Sequence, residues 1–157
     1  MKKILFSIVV ISTVLASCSK SSTASGGSWT FGGNTYQALN CTTDSSLYTL
    51  TAYNTVSGNP FSNIVVSFYQ HLPDSSGTYL VTKPSDISAA YPVGVTVAYQ
   101  TGSATSYYGT TAGNGLNQKV NVTVANGRIS VSSSSLEIRD LGGADSSKLT
   151  FSMRQTQ

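Results

Sequence analysis

Cysteine, histidine and charge are all scarce in this 157-residue chain. It has two cysteines, Cys18 and Cys41, and one histidine, His71. A His/Cys metal centre needs three or four ligands, so none is expected. Charged residues are only 10% of the chain, against about 25% in typical soluble domains. No Gly-x-Ser-x-Gly elbow is present for a serine hydrolase. Gly113-Asn114-Gly115 opens like a dinucleotide fingerprint, but Gln118 stands where a glycine belongs and no helical pattern follows. The phosphate-loop Gly-Lys pair is missing as well.

Six carboxylates remain: Asp44, Asp74, Asp86, Glu137, Asp140 and Asp145. A glycosidase would need two of them across a cleft. Three head the repeated string Asp-Ser-Ser, at 44, 74 and 145. Asp and Ser side chains bond nearby backbone amides and start turns. Calcium would need several acids in one loop, and no loop gathers them. A Cys41–His71 thiolate–imidazolium pair would need the fold to join a core cysteine to a turn histidine near Pro73. The reading is a non-enzyme, with no cofactor and no metal.

Long apolar runs are also absent after the N-terminus. Lys2 and Lys3 precede a run from Ile4 to Leu15, interrupted only by Ser7, Ser12 and Thr13. That is about twelve residues, short of the roughly twenty a spanning helix needs. It suits the core of an export signal. The run closes on Leu15-Ala16-Ser17-Cys18, an aliphatic residue, two small ones and a cysteine. This resembles the lipobox of bacterial lipoproteins. The resemblance implies cleavage before Cys18, a diacylglyceryl group on its sulfur and acylation of the new amine. Several acyl chains anchor firmly, since each buried methylene contributes about 0.8 kcal/mol. Ser19 follows the cysteine rather than Asp. By analogy with the enteric sorting rule, this directs the protein to the outer membrane.

Three segments result: a signal peptide over 1–17, the lipidated Cys18 with a Ser/Gly tether over 18–27, and one domain over 28–157. The tether composition is that of a solvated coil, holding the domain about 15–20 Å from the bilayer. Two of the nine Lys and Arg lie in the leader, and the rest nearly balance the six Asp and Glu. Such neutrality gives no case for nucleic acid or for anionic lipid. With Cys18 lipidated, Cys41 has no disulfide partner, so it is either a buried small hydrophobe or a free thiol.

From Ser28 onward the apolar period is two. Trp29 and Phe31 share a face before Gly32-Gly33-Asn34 turns the chain into 35–39. Further strands are read at 47–53, 64–69, 78–81, 93–100, 105–110, 120–125, 129–131, 136–138 and 149–153, with one helical turn near 85–88. Asn126-Gly127 between alternating runs is a strong hairpin signal. Alternation gives each strand one wet and one dry face. The fold class is therefore all-β: an antiparallel β-sandwich, or alternatively a closed barrel, of about nine strands.

The entry Trp29 to Tyr36, the Gly77-Thr78-Tyr79 string, and the Asn126-Gly127-Arg128-Ile129-Ser130 hairpin before a terminal Leu149-Thr150-Phe151-Ser152 strand form a pattern. It resembles a group of small lipoproteins of the Bacteroidota whose domains have no assigned function. The resemblance implies a lipid-anchored all-β domain and carries over no catalytic residue. Tyrosine is frequent, with nine in all. Tyr91 and the pair Tyr107-Tyr108 fall outside clean alternation, and exposed rings of this kind stack on sugars or peptides. The expected role is a binding or accessory module for a glycan or protein partner. The other reading is a structural or assembly subunit of the envelope.

Overall fold

The structure, a computed structural model, describes residues 26–54, 62–101, 104–111 and 117–156. The leader, Cys18, most of the tether and Gly113–Gly115 lie outside these residues.

The described chain is all-β. Its strands are β1 (Gly27–Phe31), β2 (Asn34–Gln37), β3 (Asn40–Asp44), β4 (Thr49–Asn54), β5 (Ser62–Phe68), β6 (Gly77–Thr82), β7 (Val93–Thr101), β8 (Ala104–Thr110), β9 (Lys119–Ala125), β10 (Arg128–Asp140) and β11 (Ser146–Arg154). They form one sheet in the order β2-β1-β11-β10-β9-β6-β7-β5-β4-β3, with β8 pairing both β7 and β10. Strands β10, β9, β6, β7 and β8 thus make a ring, and three strands extend from each side of it. The two extensions face one another over one core. Trp29 on β1 donates its indole N–H to Ser62 Oγ on β5 at 3.0 Å, and Phe31 meets the Tyr99 ring of β7 at 5.8 Å. Leu50, Ile64, Val95, Val97, Val131, Leu136, Ile138 and Leu149 are completely buried or nearly so in the same cluster.

Alternation explains most of these strands. In β5 every second residue, from Ser62 to Phe68, is buried. Tight turns link neighbours as expected: Asn126 and Gly127 have φ +52° and +71°, the left-handed pair that a type I′ turn requires. Asp44 starts a turn through its carboxylate, which accepts from Ser46 N, Ser46 Oγ and Leu47 N at 2.8, 2.6 and 3.1 Å. Those bonds, the Ser46 hydroxyl first, hold its carboxyl below the usual range.

Five features differ from the expectation. The strand count is eleven rather than nine among the described residues. β3 was not expected because Cys41 is its one buried side chain, so an edge strand of Asn, Thr and Asp shows no apolar alternation. The stretches 129–131 and 136–138 are one strand. A bulge between Ser133 and Leu136 shifts the register against β11, so burial moves from odd to even positions. The apolar side stays inward on both halves, and the sequence pattern shows a break. The sheet is mixed, since β6 and β7 run parallel over Val81↔Val93 and Thr82↔Gly94. The ten intervening residues, with a 3₁₀ turn at Pro84–Asp86, carry the chain back to the same end. β1 begins at Gly27, inside the stretch whose composition reads as tether.

Two devices close the assembly. Thr110 Oγ1, fully buried on β8, accepts from Val95 N at 3.0 Å and donates to the Thr82 carbonyl. It satisfies backbone groups where β6 and β7 diverge. At the far edge, Thr156 N–H donates to the Cys41 carbonyl at 2.9 Å and Gln155 Nε2 to Thr43 Oγ1 at 3.2 Å. The segment after β11 thereby ties one extension to the other.

Candidate functional site

A half-open cleft of about 380 Å³ lies where β5 ends, lined by Phe68, Tyr69, Gln70, His71, Pro73, Tyr79, Ala89 and Pro92. Its shape comes from an unusual piece of backbone. Alternation ends at Phe68, and Gln70 takes φ +59°. His71 N–H donates to the Tyr69 carbonyl at 2.7 Å, two residues back. An i to i+2 bond around a positive-φ residue is the rare, strained form of γ-turn. For a non-glycine residue this conformation costs about 1–3 kcal/mol, and such strain concentrates at binding sites. Tyr69 N–H donates to the Pro92 carbonyl at 2.9 Å, which docks the loop before β7 as the facing wall.

The polar groups of the lining are partly committed and partly free. Gln70 Nε2 donates to Tyr69 Oη at 3.0 Å, leaving the tyrosine proton to donate elsewhere. His71 Nδ1 lies 2.9 Å from the Leu72 carbonyl, which can only accept. Nδ1 therefore carries the proton of that bond, and Nε2 is left for another partner. Tyr79 Oη donates to the Ser75 carbonyl at 3.1 Å and keeps its lone pairs. Among the described residues the lining carries no carboxylate, lysine or arginine. It offers ring faces with separate donors and acceptors, the equipment for an uncharged polyhydroxyl ligand.

The tyrosines singled out by sequence do not converge. Tyr107 and Tyr108 are successive on β8 and so point to opposite faces. Tyr107 is 53% exposed on the outer face. Tyr108 is half-buried with its ring 4.7 Å from Phe31, and burial, then Asp140 and Asp145, push its hydroxyl pKa up. Tyr91 is 45% exposed between Ala89 and Pro92, two residues of the cleft wall. Of the three, Tyr91 alone stands beside this site.

Cys41 and His71 are not a pair. Cys41 is wholly buried, level with Ala52 and Ile64 across the ladder, whereas His71 is exposed beyond Phe68. Four strand residues from Ile64 to Phe68 already span about 13 Å. Burial raises the Cys41 thiol to about 12. Among the described residues no three His, Cys, Asp or Glu side chains group to hold a metal ion.

The signal for the cleft is in the sequence. Tyr69-Gln70-His71-Leu72-Pro73 is an aromatic and polar cluster at a strand end, holding the chain's one histidine. Only its partner loop, brought in by the Tyr69–Pro92 bond, is out of reach of local pattern. No protein-family model, curated protein or solved structure matches the chain.

Proposed function

We propose that this chain is a lipid-anchored cell-envelope protein whose β domain binds an uncharged glycan in the cleft at the end of β5. The lining of that cleft carries the reading: Tyr69, Tyr79 and Phe68 as ring faces, Gln70 and His71 as hydrogen-bonding groups, and, among the described residues, no carboxylate, lysine or arginine. The volume falls within the range of about 300–1,000 Å³ typical of small-ligand sites. The strained turn at Gln70 holds the polar groups in place before any ligand arrives. Assembly through strand addition has less support, because the sheet's terminal strands, β2 and β3, are only four and five residues long.

A glycan array probed with the full chain tests this site. Binding to at least one neutral glycan is expected, weakened about tenfold or more by Tyr69→Ala and by His71→Ala, equivalent to about 1.4 kcal/mol each. Tyr107→Ala should leave it unchanged. Loss with Tyr107→Ala but not with Tyr69→Ala would move the site to the outer face of β8, and an array with no signal would refute the glycan reading.

The anchor and the outer-membrane location rest on Leu15-Ala16-Ser17-Cys18 and Ser19. In cells fed radiolabelled fatty acid, the chain should take up label and Cys18→Ser should take up none. Label persisting in the serine variant would rule out acylation at that thiol.

A further inference from the structure

The outer face of β9, β10 and β11 holds two arginines side by side. Thr123, Ser130 and Arg154 form one cross-strand row. Arg128 lies two residues before Ser130, on the same face and diagonal to Arg154. Diagonal neighbours of this kind are about 7–8 Å apart. Both arginines line a shallow depression of about 590 Å³ with Thr123, Ala125, Asn126 and Ser130. Among the described residues neither guanidinium pairs with a carboxylate; the ion pair present there joins Arg139 and Glu137. Two like charges held together without a counterion repel one another, and an anion between them removes that cost. Guanidinium forks match phosphate oxygens in pairs, and the Thr123 and Ser130 hydroxyls and the Asn126 amide add neutral donors.

The position of this pair selects its partner. Arg154 N–H donates to the Gly26 carbonyl at 3.0 Å. The chain leading back to Cys18 therefore enters the fold beside the arginines. Eight residues from Cys18 to Gly26 reach at most about 29 Å even when fully extended. Anionic headgroups act over a Debye length of about 8 Å at physiological salt. A coil that averages about 15–20 Å also samples shorter separations, so the domain can swing this face into that range.

We infer that Arg128 and Arg154 form a phosphate-binding site through which the domain rests on the anionic phospholipid headgroups of the membrane that carries its anchor. The inference builds on the anchored reading. Overall neutrality hid it, because net charge averages over the surface while the β9–β10 hairpin and β11 place two cations together.

The test uses the acylated protein in vesicles of phosphatidylcholine alone or with phosphatidylglycerol. A fluorophore on Ser152→Cys, exposed on the same face of β11, reports contact with nitroxide-headgroup lipid; Cys41 is buried and stays unlabelled. Quenching should rise with phosphatidylglycerol and reverse in high salt. The ratio of docked to undocked domain should fall about fivefold with Arg128→Gln or Arg154→Gln and about twentyfold with both. Both side chains are exposed, so the fold persists, and the salt reversal needs no variant. Quenching independent of lipid charge, or unchanged in the double variant, overturns the site. Fatty-acid labelling of the same preparation separates the two failures. A labelled protein with composition-independent quenching sinks this site alone, whereas an unlabelled one sinks the anchored reading on which it rests.

Discussion

Gly27→Ala is expected to destabilise the domain by about 4 kcal/mol, a large share of the roughly 5–15 kcal/mol that holds a typical domain folded. Gly27 opens β1 with φ +105°, which L side chains rarely adopt. A Cβ there would lie 2.0 Å from the Ser152 carbonyl oxygen and 2.9 Å from Met153 Cα. Both are backbone atoms of β11, so no side chain can rotate away. The strained conformation costs about 1–3 kcal/mol and the forced displacement about 1–3 more. Gly33→Ala is the control. Its φ is +78°, yet among the described residues nothing lies within 4 Å of a Cβ, so only the conformational cost of about 1–2 kcal/mol applies. Urea unfolding followed by the fluorescence of Trp29, the single tryptophan and 1% exposed, reads both. Equal losses in the two variants would show that the contact with β11 is not the cause.

The same glycine shows where sequence reading stops. Gly26 and Gly27 look like the end of a Ser/Gly tether, since composition cannot distinguish a glycine kept for solvation from one kept for close approach. The difference is set by β11, more than a hundred residues away. Legibility follows this rule throughout. Val120-Asn121-Val122-Thr123-Val124 and Leu149-Thr150-Phe151-Ser152-Met153 announce their strands because each buries every second side chain against the core. Asn126-Gly127 announces its turn because the required φ is written in the residue types. β3 is silent, because an edge strand with one buried cysteine has no pattern to show. The parallel pairing of β6 with β7 is equally silent, resting on two residue rows and a connection rather than on any period. The candidate cleft divides in the same way. The aromatic and polar cluster from Tyr69 to Pro73 is legible as an exception to alternation. Its opposite wall is not, because Ala89 and Pro92 arrive through a long-range backbone bond.

Cys41 gives the second large effect, a loss of stability at high pH. Burial raises its thiol from an ordinary value near 9 to about 12 in the folded state. The folded protein therefore binds this proton more tightly than the unfolded chain does. Stability falls with pH wherever the folded state holds more protons. The contribution is complete below about pH 9 and is lost as pH rises through about 12. Each unit is worth 1.36 kcal/mol, so the full loss is about 4 kcal/mol. Tyr36 works in the same direction: burial, with Tyr99 beside it, raises its hydroxyl to about 12 as well. That hydroxyl makes no hydrogen bond of ordinary geometry among the described residues, although the Tyr99 and Asn34 side chains lie close enough to shift its ionisation, so Tyr36→Phe removes the ionisation at the cost of weak contacts alone. Cys41→Ala removes the thiol but leaves a small void in a tightly packed spot, since a Cβ on Gly26 would stand only 3.0 Å from the Cys41 Cβ. At neutral pH the alanine variant should thus be less stable than the parent by about 1 kcal/mol. Above about pH 10 the order should reverse, because the parent alone must ionise a buried thiol and loses about 1.36 kcal/mol for each unit above pH 9. Urea midpoints measured across pH 7–12 would show the crossing. Parallel curves for parent and Cys41→Ala would mean that alkaline loss comes from other groups and that the thiol ionises without unfolding the core.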